Sequence, residues 1–127
     1  MLAFVLVTLG SAVGGLCRYL VAVLLTPRLT GSWPLGTLLV NVLGCFVLSL
    51  VNETVLRGLP LRPSLRLLLT TGFCGGFTTY STFNFETVSL VEQRGLFSGL
   101  GYAATTLSLC LCAHVLAAWI ARSLRPA

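Results

Sequence analysis

Residues 72–86 read GFCGGFTTYSTFNFE and interrupt the third of four apolar segments in the chain. Each of the three glycines in the stretch lowers helix propensity by about 1 kcal/mol, and the β-branched threonines that follow add little support. We therefore predict that the helix unwinds near Gly75–Thr79. Backbone carbonyls exposed by unwinding at membrane depth need partners. A bound cation, as in transporters with discontinuous helices, is one solution; burial against protein or water is the other.

The composition of the chain predicts that most of it lies in lipid. It is 56% hydrophobic and only 9% charged over 127 residues, whereas soluble domains carry about 25% charged residues. Lipid offers no partners to backbone polar groups, so spanning segments are expected to be helical. We predict a single all-α integral membrane domain over residues 1–127 with four transmembrane helices, each near the roughly 20 residues that span a bilayer: Leu2–Leu25, Leu35–Val51, Leu65–Val91 and Leu96–Ala121.

The charged and reactive residues exclude several classes of function. All eight basic residues are arginines scattered near segment ends, unlike the one-sided basic patch of nucleic-acid-binding proteins. Glu86 is the only carboxylate inside a predicted span. We find no catalytic constellation and no phosphate-binding loop, so we do not expect an enzyme. The five cysteines form neither a zinc pattern nor a disulfide framework and are interpreted as packing residues.

Several polar residues within the predicted spans have two interpretations each. Arg18 in GGLCRY can anchor the first helix at an interface or attract anions, and Asn41 in GTLLVNVLG can bond to a neighbouring helix or line a path. Tyr80 and Phe83 can share a helix face, where ring edges can contact an anion or simply pack. A stripe at i, i+4 spacing along the fourth span can line a polar path or satisfy neighbouring helices: Tyr102, Thr106, Cys110 and His114. For His114 we favour a hydrogen-bonded packing role.

Three pairs of glycines have the Gly-x-x-x-Gly spacing: Gly10/Gly14, Gly72/Gly76 and Gly95/Gly99. Small residues at this spacing let membrane helices approach closely. We interpret the pairs as packing positions, either within one subunit or between two.

Taken together, GGLCRY, GTLLVNVLG and GFCGGFTTYSTFNFE resemble the CrcB/Fluc family of fluoride channels, and the resemblance covers essentially the whole chain. It implies a fluoride-selective ion channel in the inner membrane of a prokaryote, through which fluoride leaves the cytoplasm passively and its toxicity falls. It also implies an antiparallel, dual-topology homodimer with pores along the subunit interface. A heterodimer with a paralogue stays open, because the arginine distribution mildly favours cytoplasmic termini.

The resemblance also implies roles for particular residues. A structural Na⁺ that is not transported is expected to be held by the backbone carbonyls of Gly75 and Thr78. Arg18 matches a vestibule arginine. Tyr80 stands where the family usually has Phe, and Cys110 where it usually has a hydroxyl residue. The residues expected along the fluoride path are Asn41, Tyr80, Ser81, Thr82, Phe83, Tyr102 and Thr106.

Two other functions compete with this hypothesis. A small multidrug-type proton-coupled exporter also has four short spans, but it needs a membrane carboxylate, typically in the first span, and this first span has none. A non-transporting membrane subunit would use its polar residues only to pack helices. Fluoride efflux from proteoliposomes separates all three.

Overall fold

The computed structural model describes residues 1–25 and 33–124, which form a bundle of helices. Residues 63–94 form a series of consecutive helical segments with an interruption at Thr78 and Thr79, here called the composite helix. Three helices are long and apolar enough to cross a membrane, namely α1, α2 and α6, so the chain is a multi-pass membrane protein. In chain order the elements are α1 (Leu2–Leu25), α2 (Leu35–Leu56), α3 (Pro63–Leu67), a π-helical segment (Leu68–Cys74), α4 (Gly75–Phe77), α5 (Tyr80–Arg94) and α6 (Leu96–Ser123).

The helix boundaries depart from the predicted ones at two connections. α2 continues to Leu56, beyond its predicted end at Val51. An Arg57–Glu53 ion pair of 2.7 Å at i, i+4 spacing stabilises this last turn. α5 continues to Arg94, so Gly95 alone joins it to α6. Gly95 has a φ of +89°, which glycine adopts without a steric penalty. Residues 26–32 of the predicted first connection lie outside the described residues.

The composite helix is interrupted at two threonines. Thr78 (φ −83°, ψ 160°) and Thr79 (φ −151°, ψ 118°) are extended, and α5 begins at Tyr80. Gly75 is helical, with φ −62° and ψ −36°. The break thus lies at the C-terminal end of the predicted range Gly75–Thr79, because Gly75 and Gly76 remain within α4 and the extended residues follow them.

The glycines serve instead to bring α1 against the composite helix. A Cβ added to Gly10 would lie 2.8 Å from the Gly72 Cα, and one added to Gly76 would overlap the backbone oxygen of Ser11. The interpretation as packing positions is confirmed for the pairs Gly10/Gly14 and Gly72/Gly76, and the packing is within one subunit. This contact is here called the glycine seam; its glycines are Gly10, Gly14, Gly72 and Gly76. The packing interpretation is not confirmed at Gly95 of the third pair, where an added Cβ would meet nothing within 4 Å.

On the other side of the bundle, α6 packs against both α2 and α5. Small buried residues at i, i+4 spacing, Ala113, Ala117 and Ala121, face the bundle from α6. Phe83 of α5 and Tyr102 of α6 belong to the buried hydrophobic cluster. The arrangement places α2, α6 and the interrupted part of the composite helix around a common space.

Candidate functional site

Asn41 on α2 holds the interruption in the composite helix. Its Nδ2 donates to the Thr79 carbonyl at 3.1 Å, and the Thr79 N–H donates to its Oδ1 at 2.8 Å. The Thr79 hydroxyl oxygen accepts from the Thr82 N–H at 3.2 Å and so caps the start of α5. One carboxamide and one hydroxyl thus satisfy backbone groups that the break would otherwise leave unpaired.

These bonds divert donors from two particular carbonyls. In a continuous α-helix the N–H of residue i+4 bonds to the carbonyl of residue i. The Thr79 N–H would therefore bond to Gly75, and the Thr82 N–H to Thr78. Both N–H groups bond elsewhere, to Asn41 and to the Thr79 side chain. The carbonyls of Gly75 and Thr78 are left free of their helical donors, which makes them suitable oxygen ligands for a hard cation.

No group of three or more His, Cys, Asp or Glu residues that could hold a metal ion occurs in residues 1–25 and 33–124. A cation at this site would therefore be held by main-chain oxygens rather than by a cluster of side chains. The donor set of Gly75 and Thr78 fits that chemistry, since carbonyl oxygens replace the hydration shell of alkali cations in channel filters.

A cavity of about 370 Å³ lies between α2, α6 and the break. It is here called the break groove. Its walls include Gly75 and Thr78, whose carbonyls lack their helical donors, together with Asn41 and the Tyr80 ring. Of the predicted site residues, it brings together Asn41, Gly75, Thr78, Tyr80, Phe83 and Thr106, and Cys110 lies beside them.

The hydrogen bonds around the groove determine which groups can donate into it. The Thr106 hydroxyl donates to the Tyr102 carbonyl at 2.9 Å, and the Thr78 hydroxyl donates to the Cys74 carbonyl at 2.9 Å. Asn41 has two N–H donors and uses one on Thr79. The second N–H of the Asn41 amide and the Tyr80 hydroxyl take part in none of these bonds. They are the donors that the groove offers to a ligand.

An aromatic series connects the groove to the buried core. The rings of Tyr80 and Phe83 have centroids 6.0 Å apart, and those of Phe83 and Tyr102 are 5.6 Å apart, each pair at 40°. Exposure falls from 73% at Tyr80 to 6% at Phe83 and 0% at Tyr102. The predicted pairing of Tyr80 with Phe83 on one helix face is confirmed.

Arg18 and Thr82 line a different cavity. This space, also about 370 Å³, lies among α1, α2 and α5, and Glu86 forms part of its wall. Thr79 lines both cavities, so the break forms the partition between them. The structure thus separates the predicted vestibule arginine from the groove that holds most predicted path residues.

Glu86 anchors a polar cluster that sequence reasoning did not assign. The Thr37 hydroxyl donates to Glu86 Oε1 at 2.8 Å, and the Tyr102 hydroxyl donates to Oε2 at 3.0 Å. Tyr102 is therefore committed to a carboxylate rather than directed into the break groove. A carboxylate at membrane depth requires donors, and that requirement was the signal in the sequence for this cluster.

The remaining predicted residues are dispersed. Ser81 is exposed, with its Oγ 3.4 Å from the Thr79 hydroxyl. It lines neither the break groove nor the cavity beside Arg18. His114 is exposed, and its Nδ1 lies 2.8 Å from the Ser49 hydroxyl, which confirms a hydrogen-bonded histidine. The stripe along α6 is thus not one continuous path: Tyr102 and Thr106 are buried, whereas His114 lies at the surface.

Comparisons with known proteins identify the family. The model of the family described as CrcB-like protein, Camphor Resistance (CrcB), matches residues 5–118. The chain is 46% identical over 116 residues to the fluoride-specific ion channel FluC of Sorangium cellulosum, covering 91% of each chain. It is 38% identical over 124 residues to that of Rhizobium johnstonii (98% of this chain, 99% of the relative) and 42% identical over 122 residues to that of Anaeromyxobacter dehalogenans (96% and 97%). This chain therefore belongs to the CrcB family.

Proposed function

We propose that this chain forms a fluoride-specific ion channel through which fluoride leaves the cytoplasm passively. Its similarity to proteins named fluoride-specific ion channels extends over nearly its whole length. The observation in the structure that supports the proposal is the break groove, which collects uncharged polar groups and aromatic rings in one cavity. The residues that line it carry no fixed charge.

The groove has the chemistry needed to replace the hydration shell of a small anion. Fluoride is strongly hydrated, so hydrogen-bond donors must take the place of its water, yet must bind weakly enough to release it. Asn41 and Tyr80 offer an N–H and an O–H, and Phe83 offers a weakly electropositive ring edge. Thr106 contributes after its hydroxyl rotates away from the Tyr102 carbonyl. A neutral donor set does not trap the ion as a buried cation would.

We propose that the composite helix is the fourth membrane crossing and that a second subunit covers its open face. Tyr80 and Phe85 are each 73% exposed, and Ser81 and Asn84 are exposed beside them. Polar side chains facing lipid at this depth are unfavourable. An antiparallel dimer would cover them and supply the missing wall of the groove.

A structural Na⁺ on the dimer axis is part of this proposal. The freed carbonyls of Gly75 and Thr78 support it, because two subunits would contribute the same pair of oxygens to one ion. An ion that binds only the assembled dimer stabilises it by mass action. Replacing sodium with a large organic cation, after verified removal of bound sodium, is expected to weaken the dimer and reduce flux. Unchanged stability and flux would exclude the site.

The function is tested with purified protein in liposomes. Efflux of fluoride, followed with an ion-selective electrode, is expected to exceed efflux of chloride from matched vesicles by orders of magnitude. Vesicles without protein give the leak. Comparable rates for the two anions, or fluoride efflux no faster than the leak, would contradict the proposal. Dependence on a proton gradient would favour the exporter alternative instead.

A further inference from the structure

Three of the five cysteines meet in the break groove, each from a different helical element. Cys45 lies on α2, Cys74 on the π-helical segment and Cys110 on α6. All three are free thiols; Cys74 is buried, whereas Cys45 and Cys110 are half-buried. Their common location was not evident from the sequence, where we interpreted them as separate packing residues.

Cys45 and Cys110 line the break groove from α2 and α6, two helices that pack against each other. Cys45 follows Asn41 by one helical turn, and Cys110 follows Thr106 by one turn, so each shares a helix face with a groove residue. A ligand held between the two sulfur atoms would therefore stand in the groove itself.

We propose that Cys45 and Cys110 together form a site for a two-coordinate soft metal ion such as Hg²⁺, and that the bound ion blocks the anion path. Thiolates are soft ligands that select soft metals. Two of them suffice for linear coordination, which agrees with the lack, among the described residues, of any three-residue group that could hold a metal. Two S–H bonds break, two S–Hg bonds form and two protons leave, without any change of oxidation state.

The blocking effect rests on the proposed function, whereas the metal site does not. An ion between α2 and α6 fills part of the groove beside Asn41. Because two protons leave for each Hg²⁺ that binds, the occupied site carries no net charge, and the block is steric. The filled groove leaves less room for a permeating anion, which reduces conduction.

The test uses HgCl₂ on the purified protein with two readouts. The ultraviolet absorption of the Hg–thiolate bonds reports binding in detergent, and fluoride efflux from liposomes reports conduction. Cys17 and Cys112 lie outside the groove, and Cys112 is exposed, so C17S/C112S serves as the background and as the matched control. In that background we expect tight binding that consumes both thiols, together with loss of flux.

C45S or C110S added to this background is expected to weaken Hg²⁺ binding by at least about tenfold, because losing either ligand removes the advantage of two-point attachment. Size-exclusion chromatography verifies folding, and C110T provides a second variant with a hydroxyl at the same position.

Binding or block that survives C45S or C110S unchanged would overturn the proposal, as would its loss in C17S/C112S alone. A background protein that binds Hg²⁺ through both thiols but never conducted fluoride would support the metal site while contradicting the proposed function.

Discussion

The two faces of the composite helix show how one short sequence can serve two kinds of contact. Gly75 and Gly76 are adjacent and both lie in α4. A Cβ on Gly76 would overlap the backbone oxygen of Ser11, whereas a Cβ on Gly75 would meet nothing within 4 Å. Gly76 therefore allows α1 to approach, whereas Gly75 faces the open break groove. Of these two neighbouring glycines, Gly76 permits a helix contact within the subunit, whereas Gly75 leaves open space at the surface of the subunit.

The two faces also differ in what holds them in place. In the glycine seam, backbone lies against backbone: a Cβ on Gly10 would be 2.6 Å from the Leu68 carbonyl oxygen. Backbone atoms in packed helices cannot yield, so added volume there is strongly unfavourable. Around the break, by contrast, contacts run through the Asn41 and Thr78 side chains, which can rotate or be replaced.

The largest effect is expected from Gly76→Ala. The added methyl group meets the Ser11 backbone, so we expect destabilisation by about 1–3 kcal/mol, the usual range for overpacking. Gly75→Ala is the matched control and is expected to leave the subunit's folding unchanged. Thermal unfolding in detergent measures both variants.

Equal destabilisation by the two alanines would show that the faces do not differ as described. Gly75→Val extends the comparison, because within one subunit an added side chain at Gly75 meets nothing within 4 Å, so it would act only at the contact with the proposed second subunit. We expect it to preserve the fold of the subunit and to reduce dimerisation and fluoride flux, measured by cross-linking and liposome efflux.

A smaller loss of stability, which a second substitution should suppress, is expected where α2 meets the break. A Cβ on Gly44 would overlap the Thr78 Cγ2, so Gly44→Ala should destabilise the protein by about 1–2 kcal/mol. Thr78→Ser removes that methyl group and keeps both the carbonyl and the hydroxyl that donates to Cys74. Alone it should be tolerated, and combined with Gly44→Ala it should restore stability. The coupling is read from the double-mutant cycle. Strictly additive effects would contradict the contact.

The helix boundaries could be predicted where the local sequence determines them. α1 begins and ends as predicted, because Leu2–Leu25 is one long apolar run. The end of α2 was missed because Asn52 and Glu53 resemble a loop in sequence, whereas the Glu53–Arg57 pair and the 3.1 and 2.8 Å bonds from Arg66 to Asn52 stabilise them as helix.

The position of the break could not be derived from local propensity. Propensity indicates the glycines, yet the extended residues are held by Asn41, which lies 38 residues earlier in the chain. The Glu86 cluster was missed for the same reason, since its donors Thr37 and Tyr102 come from α2 and α6. Motif resemblance placed seven residues along a path; the tertiary contacts show that Asn41, Tyr80, Phe83 and Thr106 share a cavity and that the other three do not line it.

The smallest effect is expected at Tyr80, and its contrast with Phe83 tests whether the groove face depends on rings or on hydroxyls. Phe83 contacts the rings of both Tyr80 and Tyr102, so Phe83→Ile removes two aromatic contacts, each worth about 0.5–1.5 kcal/mol, together with a ring edge from the groove. Tyr80→Phe keeps the ring and removes one exposed hydroxyl. We therefore expect Phe83→Ile to reduce fluoride efflux severely and Tyr80→Phe to reduce it little, with both proteins dimeric by size-exclusion chromatography. If Tyr80→Phe abolished flux in an intact dimer, the tyrosine hydroxyl would be an essential donor, and the groove would bind fluoride through oxygen rather than through ring edges.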